Sequence, residues 1–122
     1  MSTSTDFETE YLRTWTEADP TRRREVIESV WTPDGRMSVS SLDITVEGVD
    51  EIAAHIGRVH DELIAQKGLR FVYDQRIDSG DATLLRWSIQ AATGDVVGRG
   101  ADVVFRDEKG RVATAYMFMD VD

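Results

Sequence analysis

A chain of 122 residues, 41% hydrophobic and 30% charged, has the balance of a folded protein and the length for one modest core. The sequence has no cysteine, no apolar run of about 18 residues and no charged-then-apolar leader. Disulfides, thiolate chemistry, Cys-ligated metals and a membrane span are therefore not expected, and the cytoplasm is the expected compartment. A net charge of −9 repels phosphate backbones and anionic substrates, so no nucleic-acid partner is expected.

Phe7, Tyr11, Trp15 and Ala18 recur at spacings of four, four and three, the stripe of an amphipathic helix that ends at Asp19-Pro20. Asp19 is suited to cap a second helix with Pro20 at its first position, and Val26, Ile27, Val30 and Trp31 form that helix's apolar stripe. The run Arg22-Arg23-Arg24 reads as its solvated face. Thr32-Pro33-Asp34-Gly35 reads as a tight turn, and Met37 and Val39 alternate with polar neighbours as in a strand exposed on one side. After a loop with a short extended piece at Ile44 and Val46, a third helix is predicted from about Val49 to Gln66. Ile52, Ile56, Val59 and Leu63 are its stripe, and Gly68 is its stop.

Beyond Gly68 the pattern is all strand. Phe71, Tyr73, Gln75 and Ile77 alternate with polar or smaller neighbours, and Asp78-Ser79-Gly80-Asp81 is a turn. Strands from Leu84 to Ala92 and from Asp95 to Phe105 flank a Thr93-Gly94 hairpin, and Val112 to Met119 follows a turn over Asp107 to Gly110. The whole chain, 1–122, reads as a single domain.

The hairpin register decides which residues share a face. With Thr93-Gly94 as the turn, Ala92 pairs with Asp95, Gln90 with Val97, Leu85 with Asp102, Trp87 with Gly100 and Ile89 with Gly98. One face then carries Leu85, Trp87, Ile89, Val96 and Val104, with Asp102 as its only charge. If the next turn is equally tight, Asp102 faces Ala115 and the same face runs on to Met117 and Met119. Gly98 and Gly100 mark a bend there, which would make the face concave, and three helices could cap it without filling it. Val112, Tyr116 and Phe118 are assigned to the other face, where they suggest a homodimer through the outer side of the sheet.

Three segments together resemble the nuclear transport factor 2-like superfamily, in its SnoaL-like and ketosteroid-isomerase-like branches. They are Trp15 through Trp31-Thr32-Pro33-Asp34, Val46-Glu47-Gly48-Val49-Asp50-Glu51-Ile52, and Gly100-Ala101-Asp102-Val103-Val104-Phe105 with Asp107-Glu108-Lys109-Gly110-Arg111-Val112. The resemblance implies an α+β fold: a cone-shaped curved antiparallel sheet capped by three N-terminal helices and enclosing a pocket. It also implies that Asp102 is the strand aspartate that serves these relatives as a pocket acid or acid/base. In the isomerases that carboxyl stays protonated because its site is apolar, and it donates to a developing oxyanion. Trp15 stands where the isomerases hold a phenol donor and Val39 where they hold a proton-shuttling carboxylate, so steroid-type isomerisation by that set is not expected.

The candidate catalytic residue is therefore Asp102. The candidate ligand-binding residues are Trp15, Tyr11, Val39, His55, Leu85, Trp87, Ile89, Val104, Met117 and Met119. Tyr11 and Tyr73 are candidate hydroxyl donors. His55 and His60 lie about 40° to either side of the third helix's stripe and read as boundary residues, His55 being nearer the pocket. Their spacing matches no zinc motif, so no metal and no cofactor are expected. The expected ligand is a small apolar or weakly polar organic molecule. The expected chemistry is a proton-transfer isomerisation, dehydration or cyclisation, the alternative being a non-catalytic binding or dimerisation domain.

Overall fold

The computed structural model describes residues 7–40 and 42–119. Its order is α1 (Phe7–Thr16), α2 (Pro20–Val30), β1 (Trp31–Val39), β2 (Ile44–Glu47), α3 (Gly48–Val59), a π-helical continuation (His60–Ala65), β3 (Arg70–Ser79), β4 (Ala82–Gln90), β5 (Val96–Arg106) and β6 (Val112–Met119). The six strands form one curved, unclosed sheet in the order β2-β1-β6-β5-β4-β3, antiparallel except where β1 lies parallel to β6. This is the α+β architecture the sequence predicts.

The helices form because their apolar positions fall on one face that the sheet can cover. Tyr11 and Trp15 of α1, Ile27 and Val30 of α2 and Ile52 and Ile56 of α3 pack on Met37, Val39, Leu85, Val104 and Ala115 from the sheet. Asp19 caps α2 by accepting from the Thr21 and Arg22 amides, with Pro20 directly after it. Ala18 lies beyond the end of α1 and is exposed, and Trp31 opens β1 instead of closing α2. Arg23 departs from the solvated face expected of the arginine run. It is buried, and its guanidinium donates to the Glu17 carbonyl at 2.9 Å, taking up an acceptor left over where α1 ends.

Several local expectations are overturned by bulges. Thr32–Gly35 is not a tight turn; it belongs to β1, whose register against β6 shifts between Trp31 and Arg36. Gly35 is required there, because a methyl on it would stand 2.7 Å from the Trp31 ring. The Thr93-Gly94 hairpin is one residue longer than expected. Ala91 donates to Asp95, Gly94 takes φ 93°, and Gln90 pairs with Val96 instead of Val97. An extra residue at Val97 then restores the register, so Leu85 still faces Asp102 and Trp87 still faces Gly100. Val96, expected on the inner face, is 43% exposed.

Across β5 and β6, Asp102 pairs with Met117 and not with Ala115. The offset is two residues, so the face is unchanged. A further shift between Phe105 and Arg106 turns Val112 inward, where it is fully buried, contrary to the outward position expected of it. Tyr116 and Phe118 do face outward and are each 42% exposed. No helix among the described residues is long and apolar enough to cross a membrane.

Candidate functional site

Between the helices and the concave side of the sheet lies a cavity of about 180 Å³. The helix layer contributes Leu12 and Trp15 from α1, His55 and Val59 from α3 and Leu63 from the π-helical turn. The sheet contributes Phe71 and Tyr73 from β3, Trp87 and Ile89 from β4, Asp102 from β5, Met117 and Met119 from β6 and Val39 from β1, and Leu42 closes the set.

Asp102 is 1% exposed. Its Oδ2 accepts from the Tyr11 hydroxyl at 3.0 Å and its Oδ1 from the Trp87 indole N–H at 2.9 Å. Each carboxyl oxygen thus accepts from one neutral donor, one on α1 and one on β4. Burial pushes the Asp102 carboxyl up to about 6, and the two hydrogen bonds hold it below where burial alone would take it. A carboxyl near 6 can both take and release a proton near neutral pH.

Tyr73 stacks on Tyr11 with ring centres 6.3 Å apart, and its hydroxyl has no hydrogen-bond partner among the described residues. Burial, and after it the Asp102 charge, push the Tyr73 phenol well above its ordinary value, so it keeps its proton and remains a donor. His55 stands edge-on to Trp15 at 6.2 Å, 88° between ring planes, and burial lowers its pKa, with a smaller push from Arg58. His60 is turned away from the cavity. Its Nδ1 lies 2.8 Å from the Trp15 carbonyl, and since a carbonyl only accepts, that nitrogen carries the hydrogen.

Of the residues singled out from the sequence, Asp102, Trp15, Val39, His55, Trp87, Ile89, Met117 and Met119 meet at the cavity. Leu85 and Val104 are fully buried in the core behind the wall, and Tyr11 is fully buried behind Asp102, which it orients. Leu12, Leu42, Val59, Leu63, Phe71 and Tyr73 line the cavity without having been singled out as ligand contacts. The stripe of the third helix was a usable signal for Val59 and Leu63. For Phe71 and Tyr73 it was not. Continued unbroken from the Ser79–Ala82 pair, the hairpin register would set Tyr73 against Ser88 on the outer face, but a bulge beside Asp74 pairs Tyr73 with Trp87 and Phe71 with Ile89. The same bulge leaves Ile77 50% exposed and brings Arg76 over the Phe7 ring and beside Glu8. Among the described residues no group of three or more His, Asp or Glu side chains is placed to hold a metal ion.

The model of the SnoaL-like domain matches residues 9–115. A solved candidate isomerase of the SnoaL-like family from Agrobacterium tumefaciens is 29% identical, with 94% of this chain and 95% of that one covered and a TM-score of 0.83. A candidate SnoaL-like polyketide cyclase from Jannaschia is 18% identical over 98% and 92% of the two chains, TM-score 0.68. A protein with a ketosteroid isomerase-like fold from Catenulispora acidiphila, solved with trimethylamine, is 13% identical over 95% and 86%, TM-score 0.71. At these last two identities the likeness is one of fold. Among curated proteins no relative matches the chain.

Proposed function

The chain belongs to the SnoaL-like domain family, and from that premise we propose that it moves a proton on a small neutral carbonyl compound, with Asp102 as the acid/base. The observation that carries this reading is a single buried carboxyl, pushed up to about 6, set in a cavity otherwise walled mainly by aliphatic and aromatic side chains. The Asp102 carboxylate would take a proton from the carbon next to the carbonyl, while the unpartnered Tyr73 hydroxyl donates to the carbonyl oxygen as negative charge builds there. The proton on Asp102 then returns to carbon. At about 180 Å³ the cavity is smaller than the roughly 300–1,000 Å³ of a drug-sized pocket. It is close to the roughly 150 Å³ engineered cavity that takes benzene, which favours a molecule built on one ring.

The reading is tested by following deuterium exchange at the α-carbon of acetophenone in D₂O by NMR. The wild type is expected to accelerate exchange over buffer, and Asp102→Asn to lose about 100-fold of that acceleration or more. An unchanged rate in Asp102→Asn removes the acid/base role and leaves the cavity as a binding site.

We propose also that two copies pair through the outer face of the sheet. Tyr116 and Phe118 on β6 and Val97 on β5, 58% exposed, support this, and Phe105 packs edge-on against Tyr116. Light scattering on a sizing column should give twice the chain mass, falling to the monomer in Tyr116→Glu/Phe118→Glu. A wild-type monomer overturns the pairing.

A further inference from the structure

His55 is 3% exposed on the cavity wall, and neither of its ring nitrogens has a hydrogen-bond partner among the described residues. Polar side chains at buried positions are nearly always paired, with protein groups or with water. His60, a short way along the same helical segment, follows that rule through the Trp15 carbonyl. His55 has no such partner among the described residues, and it lines the cavity from α3, where a bound molecule can supply one.

We propose that His55 is a recognition residue for a second oxygen function on the bound molecule, so that the site selects hydroxylated carbonyl compounds of one-ring size. The proposal rests on the cavity being a ligand site and deepens that reading by naming the substrate class. The two unpartnered polar groups stand on opposite walls, the Tyr73 hydroxyl on the sheet and the His55 imidazole on the helix layer. A carbonyl directed at the sheet would meet Tyr73 beside Asp102, and a hydroxyl directed at the helices would meet His55. A neutral imidazole offers one donor and one acceptor, and a hydroxyl can answer either. Among the described residues the charge acting on His55 is Arg58 on its own helix, and the titratable groups that share the cavity lining with it are the Asp102 carboxyl and the Tyr73 phenol.

Recognition fits His55 better than proton abstraction. A histidine that serves as a base is commonly held in one tautomer by a carbonyl or carboxylate on its second nitrogen, and His55 has no such partner. The edge-on Trp15 contact holds the ring without engaging either nitrogen through a hydrogen bond. A site built to hydrogen-bond a hydroxyl discriminates strongly against the analogue that lacks it, because the buried partner is then left unpaired.

Titration calorimetry with acetophenone and its 3′- and 4′-hydroxy derivatives, on wild type, His55→Leu and His55→Gln, tests this. In the wild type at least one hydroxy derivative is expected to bind about tenfold tighter than acetophenone or better. That preference should fall to within about twofold in His55→Leu and survive in part in His55→Gln, which keeps a donor and an acceptor. An equal preference in His55→Leu, or none in the wild type, overturns the proposal while leaving the cavity as a ligand site. If none of the three ketones binds the wild type at millimolar concentration, both readings fall. Because the readout is a ratio of affinities, it is independent of turnover and of any change in thermal stability.

Discussion

Gly100→Ala is expected to cost about 3 kcal/mol or more and to lower the melting temperature by roughly 10 °C. Gly100 is buried on β5 opposite Trp87, and a methyl placed on it would overlap both the indole ring and the Phe118 carbonyl oxygen. Neither obstacle is the loose end of a flexible side chain. If the indole moves, Asp102 loses the donor on its Oδ1 and the cavity loses part of its wall; if the carbonyl moves, the ladder between β5 and β6 is displaced. Gly98→Ala is the control. Its new methyl would meet only the Ile89 side chain, at 3.4 Å, and should change stability by less than about 1 kcal/mol. Thermal unfolding of the two variants decides the matter, and a Gly100→Ala protein melting with the wild type would contradict the placing of Trp87 over this strand.

The second large effect is on stability against pH. Asp102 titrates near 6 in the folded chain and near the ordinary 3.8 when unfolded, so between those values the folded state holds a proton that the unfolded state has released. Its contribution is fully present below about 3.8 and is lost as the pH rises through about 6. At about 1.4 kcal/mol per unit, the wild type should lose about 3 kcal/mol relative to Asp102→Asn between pH 3.5 and pH 7.5. His55 works in the opposite direction. Burial lowers its pKa, so its contribution is present above the ordinary histidine value and lost as the pH falls through the folded one. That contribution is common to both proteins and cancels in the comparison. Urea unfolding at several pH values measures the difference, and a flat difference would mean that Asp102 is not desolvated as described.

Neutralising Asp102 therefore removes a destabilising charge at pH 7 along with the chemistry proposed for it. A carboxylate held by two neutral donors, with no cation among the described residues bearing on it, is a poor device for stability. This is the physical ground for reading it as a working group.

How much of this was legible beforehand differs by element. The Asp19-Pro20 boundary was, because a cap and the residue after it act within one turn of chain. So was the pairing of Leu85 with Asp102 and Trp87 with Gly100, although it emerged from a hairpin one residue too short whose error the Val97 bulge cancels. The face of Asp102 survived a two-residue offset against β6, since side chains alternate with period two. By itself the sequence determined the helix and strand segments outside Trp31–Gly35, the lone carboxyl on an apolar face and the family resemblance, all of which depend on short-range periodicity and composition.

The tertiary structure decided the rest. It turned Tyr73 and Phe71 toward the cavity through the Asp74 bulge, turned Val112 into the core through another, and supplied Asp102 with Tyr11 from 91 residues away. It also left His55 unpartnered while giving His60 a carbonyl. A single inserted residue reverses every side chain after it, and the hydrogen-bond partners of a buried group come from strands and helices far apart in sequence. Neither leaves a mark in local periodicity, because both depend on how distant elements pack around one another.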